Sequence, residues 1–212
     1  MKLTALETIC RNFLRDTLQT DSAHDLAHTE RVVANAKLLL QTEKADKKVV
    51  LAAAWLHDCV LLPKNHPDRK QASARAADEA AKFLENNQFP ETKIHQVRHA
   101  IHAHSFSAGI TPRTIEAKIV QDADRLDALG AIGIARCFLT GGELKRTFSH
   151  PDDPFCENRE PDDSRWTIDH FYAKLLKLPE TMNTNSAKKE AQKRAAFMQT
   201  YLDHLREEMG SF

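Results

Sequence analysis

Apolar residues recur three and four positions apart along almost the whole chain, a spacing that collects them on one face of an α-helix. Leu3, Leu6, Cys10, Phe13, Leu14 and Leu18 predict a first helix over most of 3–19, after which Thr20, Asp21 and Ser22 supply turn chemistry. A second helix begins near Asp25 or His28 and carries Val32, Val33, Ala36, Leu39 and Leu40, with His24 and Asp25 as its cap. A third, from about Asp46, carries Val49, Val50, Ala53, Ala54 and Leu56 and is ended by Pro63. Past a polar loop over 63–70, helices are predicted over about 71–87, from Pro90 to about Ser105, from about 115, and over 130–140, where Gly141-Gly142 breaks the helix. Residues 149–165, rich in Pro and Asp, form a surface excursion, and a short hairpin within 140–165 is the one β feature the pattern allows. Helices over about 168–178 and 186–208 close the chain.

The expected fold class is therefore all-α. The 212 residues make one helical domain, with a core over about 20–140 and a C-terminal helical extension over about 166–209. Lys and Arg together number 30, as do Asp and Glu, and a balance of zero argues against a protein that coats nucleic acid or a membrane surface. No stretch approaches the roughly 20 apolar residues of a membrane span, and the N-terminal segment has no apolar core for a signal peptide, so a cytoplasmic location is expected. Cys10, Cys59, Cys137 and Cys156 are far apart and form no CxxC pair, which predicts free thiols rather than a zinc ribbon or disulfide framework.

Chemistry enters where titratable residues interrupt apolar runs. AAAWLHDCVLL sets His57 and Asp58 inside a stretch that ought to be buried, and KIVQDADRLDALGAIGIA does the same with Asp122, Asp124 and Asp127. A lone His-Asp pair is a weak signal, since His24-Asp25 is another; its context is what counts. Burying several carboxylates is costly unless cations or hydrogen bonds compensate. Arg125 could answer one of them and a metal ion two. His28, in the first turn of the second helix, can meet these residues at one level of an antiparallel bundle, which is how bundles build metal sites. Imidazole and carboxylate together suit Mn, Fe, Co, Ni or Zn, and Mg less well. Such an ion would activate a water and polarise a phosphoryl oxygen.

Three segments, HDLAHTERVV, AAAWLHD and VQDADRLDALGAIGIAR, resemble the HD superfamily of metal-dependent phosphohydrolases. More narrowly, KNHPDRKQAS, HAHSFSAG, DPF and HFYAKLLKLPETM are similar to the YedJ- and YpgQ-type bacterial members, so the resemblance spans nearly the whole chain. It implies an HD-domain helical bundle, a divalent metal ion, and hydrolysis of a phosphate ester or anhydride of a small molecule, with nucleotides among the candidates. Matched residue by residue, the implied metal ligands are His28, His57, Asp58 and Asp124, with Asp122 the rival for the last place and Asp127 the next. Some relatives carry an acidic residue shortly after the His-Asp pair as acid–base catalyst. Val60, Leu61, Leu62 and Pro63 stand there in this chain, so Asp127 or a metal-bound hydroxide is expected to take that role.

His104 is the expected contact to substrate or water, and Lys64, with His66, Arg69 and Lys70, offers cations for substrate phosphates. His95, His99 and His102 share a helix face and are candidates for a second ion, and Arg31 is a candidate partner for an Asp near the metal or for substrate. Two other functions remain open at this stage. One is a non-catalytic HD domain that binds a nucleotide or signalling ligand, and the other is oxidative chemistry at a di-iron centre.

Overall fold

The computed structural model of the protein describes residues 1–17, 25–61, 68, 71–105 and 108–210. The chain divides into two compact units, residues 1–124 and 125–212. The first holds α1 (Leu3–Thr17), α2 (Leu26–Leu39), α3 (Lys47–Leu56), α4 (Ala72–Asn86) and α5 (Glu91–His104), and most of α6 (Ile115–Leu126).

Helix α3 is the axis of this unit. Its sequence, KKVVLAAAWL, is apolar on every side after the first turn, and a helix of that kind has to be enclosed. Every residue from Val49 to Leu56 is buried, and α1, α2, α4 and α5 all pack against it. The neighbours each turn one apolar stripe inward. In α1 the stripe is Leu6, Cys10 and Leu14; in α4 it is Ala76, Ala77, Ala80, Ala81 and Leu84; in α5 it is Ile94, Val97, Ala100 and Ile101.

The ends of these helices are fixed by side chains. Asp46 caps α3, accepting from the Lys48 amide at 3.0 Å and the Val49 amide at 3.4 Å. Its carboxylate also pairs with Lys93 of α5, and its own amide donates to Glu116 Oε1 of α6 at 3.0 Å. Asp25 caps α2, as expected, by accepting from the His28 amide at 2.7 Å; His24 lies outside the described residues.

The second unit contains α7 (Gly130–Glu143), α8 (Asp169–Ala173), a 3-10 helix (Leu175–Thr181) and α9 (Asn185–Met209). α9 packs on both α7 and the 3-10 helix. Here the structure corrects three expectations. Gly141 and Gly142 do not break α7, which continues to Glu143. A Cβ on Gly141 would stand 2.5 Å from Thr167 Oγ1, so this glycine permits a close approach rather than a stop. The allowed hairpin also does not form. Among the described residues there is no strand, and the excursion is closed by one isolated bridge, Thr147 to Trp166, running parallel, a sense that a tight hairpin cannot produce. The closing segment is braced instead by Asp169, which is fully buried and receives Arg159 Nη1 at 2.5 Å and Nη2 at 2.7 Å. The helix expected over 168–178 is split. α8 ends at Ala173 and a 3-10 turn containing Pro179 follows. All four cysteines are free. No helix among the described residues is long and apolar enough to cross a membrane.

Burial alone would raise the Asp46 carboxyl, but the hydrogen bond and charge of Lys93 and the α3 amides outweigh it and hold its pKa below 3.8. A carboxyl depressed in the folded state stabilises above its unfolded pKa and loses that contribution as pH falls through the folded value. Asp46→Ala should therefore lower the stability by about 1 kcal/mol at pH 7, as is usual for a lost cap. The gap to wild type should narrow below about pH 4. Urea unfolding at both pH values measures it, and equal midpoints at pH 7 would contradict the role of this cap.

Candidate metal centre

Three helix ends and one helix interior meet in the first unit. His28 sits in the first turn of α2, His57 and Asp58 directly follow α3, His104 is the last residue of α5, and Asp124 is in α6. His57 is fully buried, His28 and His104 nearly so, and Asp58 and Asp124 are partly open.

The tautomers follow from two backbone contacts. His57 Nδ1 lies 2.9 Å from the Ala54 carbonyl and His104 Nδ1 lies 2.6 Å from the Ile101 carbonyl. A carbonyl only accepts, so in both rings Nδ1 carries the hydrogen and a neutral ring is left with a lone pair on Nε2. Those Nε2 atoms point into a common space. His57 Nε2 is 3.4 Å from His28 Nε2 and 3.6 Å from Asp58 Oδ2. His104 Nε2 is 3.4 Å from Asp58 Oδ1, and His28 Nε2 is 3.5 Å from Asp124 Oδ1. The rings of His28 and His104 stand edge-on to that of His57, with centroids 5.4 Å and 4.9 Å away.

The electrostatics match a ligand role. Burial pushes the His57 pKa down to about 4, with the charge of Asp58 opposing it, so this ring is neutral at pH 7 and its lone pair is available. For His104 burial also pulls downward, but the hydrogen bond and charge of Asp58, with the charge of Asp124, prevail and raise it. One ligand atom from each of His28, His57 and Asp58 falls within 4.8 Å of the others, close enough to hold a metal ion. Facing lone pairs and carboxylate oxygens repel one another, and a cation among them turns that repulsion into attraction. The donor set therefore fits a divalent ion.

The other expected site residues fall as follows. Asp122 is fully buried in α6, while Asp124, two residues on, has its side chain 30% exposed and reaches His28. Asp127 belongs to the second unit, is buried, and accepts from Arg136 Nη1 at 2.5 Å. Lys64, His66, Arg69 and Lys70 lie outside the described residues. Of the α5 histidines proposed for a second ion, His95 is exposed and His99 Nε2 accepts from the Arg113 amide at 3.0 Å. Among the described residues no second cluster has metal-ligand spacing. Ala54 and Ile101, whose carbonyls set the two tautomers, were not singled out from the sequence. The signal was there to read: each stands three residues before a histidine at the C-terminal end of a helix, where such side chains reach back to the last carbonyls.

A helical bundle that gathers imidazoles and carboxylates at its helix ends defines a class, the α-proteins that build a metal site between helices. The HD domain family model matches residues 25–129. The chain is 31% identical over 201 residues to protein YpgQ of Bacillus subtilis, covering 94% of this chain and 91% of that one. The crystal structure of YpgQ in complex with ADP superposes with a TM-score of 0.74 at 29% identity, over 97% of this chain and 95% of the other. An HD-superfamily hydrolase from Bacillus thuringiensis gives 0.73 at 32% identity, over 99% and 97%. The chain belongs to the HD superfamily.

A bound ion should stabilise the fold by mass action, by about 4 kcal/mol at a thousandfold excess over its dissociation constant. Mn2+ or Co2+ is expected to raise the melting temperature of the wild type and to leave that of His57→Ala unmoved. An equal rise in the two proteins would place the ion elsewhere.

Proposed function

We propose that this protein is a metal-dependent phosphohydrolase acting on a phosphate ester or anhydride of a small molecule, with a nucleotide as the favoured class. The observation that carries the reading is the convergence of His28, His57 and Asp58 within one ligand sphere, with Asp124 against His28. Membership of the HD superfamily, whose structural neighbours include a described hydrolase, supports the reaction class. The ADP held by YpgQ supports the substrate class.

In this reading His28, His57, Asp58 and Asp124 hold the ion. A divalent ion supplies an acidified water as nucleophile and a Lewis acid for a phosphoryl oxygen. The chain contributes the rest. The Ala54 carbonyl locks the His57 ring so that Nε2, not Nδ1, is presented. His104 is held the same way by Ile101 and directs Nε2 toward Asp58, where it can hydrogen-bond a substrate oxygen or a water. Lys64 is proposed as a cation for a phosphoryl oxygen. Asp127 completes the proposed set as an acid–base group, one that would first have to leave Arg136.

A panel of nucleotides and phosphate esters, each assayed with several divalent ions, should reveal turnover in the wild type. His57→Ala and Asp58→Ala should each lower kcat/KM on the order of a thousandfold, the several kcal/mol that a metal contributes, while the helical circular dichroism stays intact. Wild-type turnover retained in either variant sinks the assignment. Ligand binding without turnover anywhere in the panel would favour a non-catalytic HD domain.

A further inference from the structure

Asn35 and Gln121 are buried amides, and each is joined to a backbone carbonyl of another helix. Asn35 of α2 is 7% exposed, and its Nδ2 donates to the Ala123 carbonyl of α6 at 3.0 Å. Gln121 of α6 is 4% exposed, and its Nε2 donates to the Ala103 carbonyl of α5 at 2.7 Å. Asn35 shares the buried face of α2 with Val32, Ala36 and Leu39, where hydrocarbon would pack without any need of a partner. A buried amide is costly unless it is hydrogen-bonded, and once bonded it holds the helices it joins in one arrangement.

The carbonyls they grip are those that lead into site residues. The Ala123 carbonyl belongs to the peptide group shared with Asp124, and the Ala103 carbonyl to the one shared with His104. A peptide group is planar, so holding its oxygen also holds the Cα that follows. Asn35 lies two turns beyond His28 on the same face of α2. That face therefore meets α6 twice, through the Asn35 bond and through His28 Nε2, 3.5 Å from Asp124 Oδ1. Gln121 lies one turn before Asp124, so the stretch of α6 that carries this carboxylate is tied to α2 and to α5. Asp124 sits in the body of α6, and its position is set by where that helix is held.

We propose that Asn35 and Gln121 are positioning residues of the metal centre, which lock α6 against α2 and α5 and so fix where the Asp124 carboxylate meets an ion held with His28, His57 and Asp58. This rests on the ligand set of the phosphohydrolase reading and adds the groups that hold its fourth member in place. Groups that orient a ligand from behind typically contribute about ten- to a hundredfold in metal affinity.

Calorimetric titration of the full chain with Mn2+, arranged as a double-mutant cycle, is the test. Asn35→Leu keeps the volume and removes the donor, and it should weaken Mn2+ binding about tenfold, with Gln121→Met similar. Asp124→Ala should weaken binding too. In that background Asn35→Leu should cause no further loss, because the residue through which it acts is gone. A merely structural amide would give the same loss in both backgrounds, and that result overturns the proposal. Wild-type affinity in Asn35→Leu beside weakened binding in Asp124→Ala also overturns it, and leaves the ligand set standing. Unchanged affinity in Asp124→Ala removes that residue from the ligand set and the positioning role with it. The expected cycle in a protein that turns over no substrate would uphold the positioning role and defeat the phosphohydrolase reading. Should Asn35→Leu fail to fold, Asn35→Ser takes its place in the cycle, since a serine hydroxyl bonds the carbonyl four residues back in its own helix and falls short of Ala123.

Discussion

Acceptor atoms facing one another in a protein interior repel, and the first unit of this protein collects several of them at one place. The Nε2 lone pair of His57, the His28 Nε2 beside it and the carboxylates of Asp58 and Asp124 converge where α2, α3, α5 and α6 come together. Separately each would be an awkward burial. Around a divalent cation they become a coordination sphere, and the same desolvation that penalises a bare charge strengthens its attraction to the ion. The chemistry proposed for the protein and the tolerability of its core thus depend on one set of contacts.

The fold is arranged to make that set rigid. α3 is enclosed on all sides, so its C-terminal end is fixed by packing, and His57 leaves it still in helical geometry with its ring tied to the Ala54 carbonyl. The start of α3 is pinned by Asp46, which also reaches Lys93, while Glu116 holds the Asp46 amide. α5 carries His104 and α6 carries Asp124, so the two helices that clamp one end of α3 also deliver side chains to its other end. His28 is positioned by the Asp25 cap on its own amide. His28, His57, Asp58 and His104 thus inherit their places from helix termini, where backbone groups are free to orient side chains, and Asp124 is carried by the body of α6.

Much of this was legible in the sequence because helices announce themselves by spacing. The cap at Asp25, the start of α3 near Asp46, the apolar run of α3 and the His57-Asp58 pair at its end could all be read from residue order. Gly141-Gly142 was misleading because a glycine pair reads as a stop, whereas one of the two is needed for contact with Thr167, a residue distant in sequence. The 149–165 excursion had the composition of a turn, but its single bridge is parallel and its brace is the Arg159–Asp169 pair, neither of which has a local signature. Asn35 and Gln121 were invisible for a different reason, since the carbonyl that a buried amide grips is recognisable only once its surroundings are known.

X-ray absorption at the metal edge of the Mn2+- or Co2+-loaded protein tests the central claim most directly. The account predicts a first shell of mixed nitrogen and oxygen ligands with the outer-shell scattering of two imidazole rings, reduced to one ring when His57 is replaced by alanine. An all-oxygen shell without imidazole scattering, or a spectrum that the replacement leaves unchanged, would contradict it.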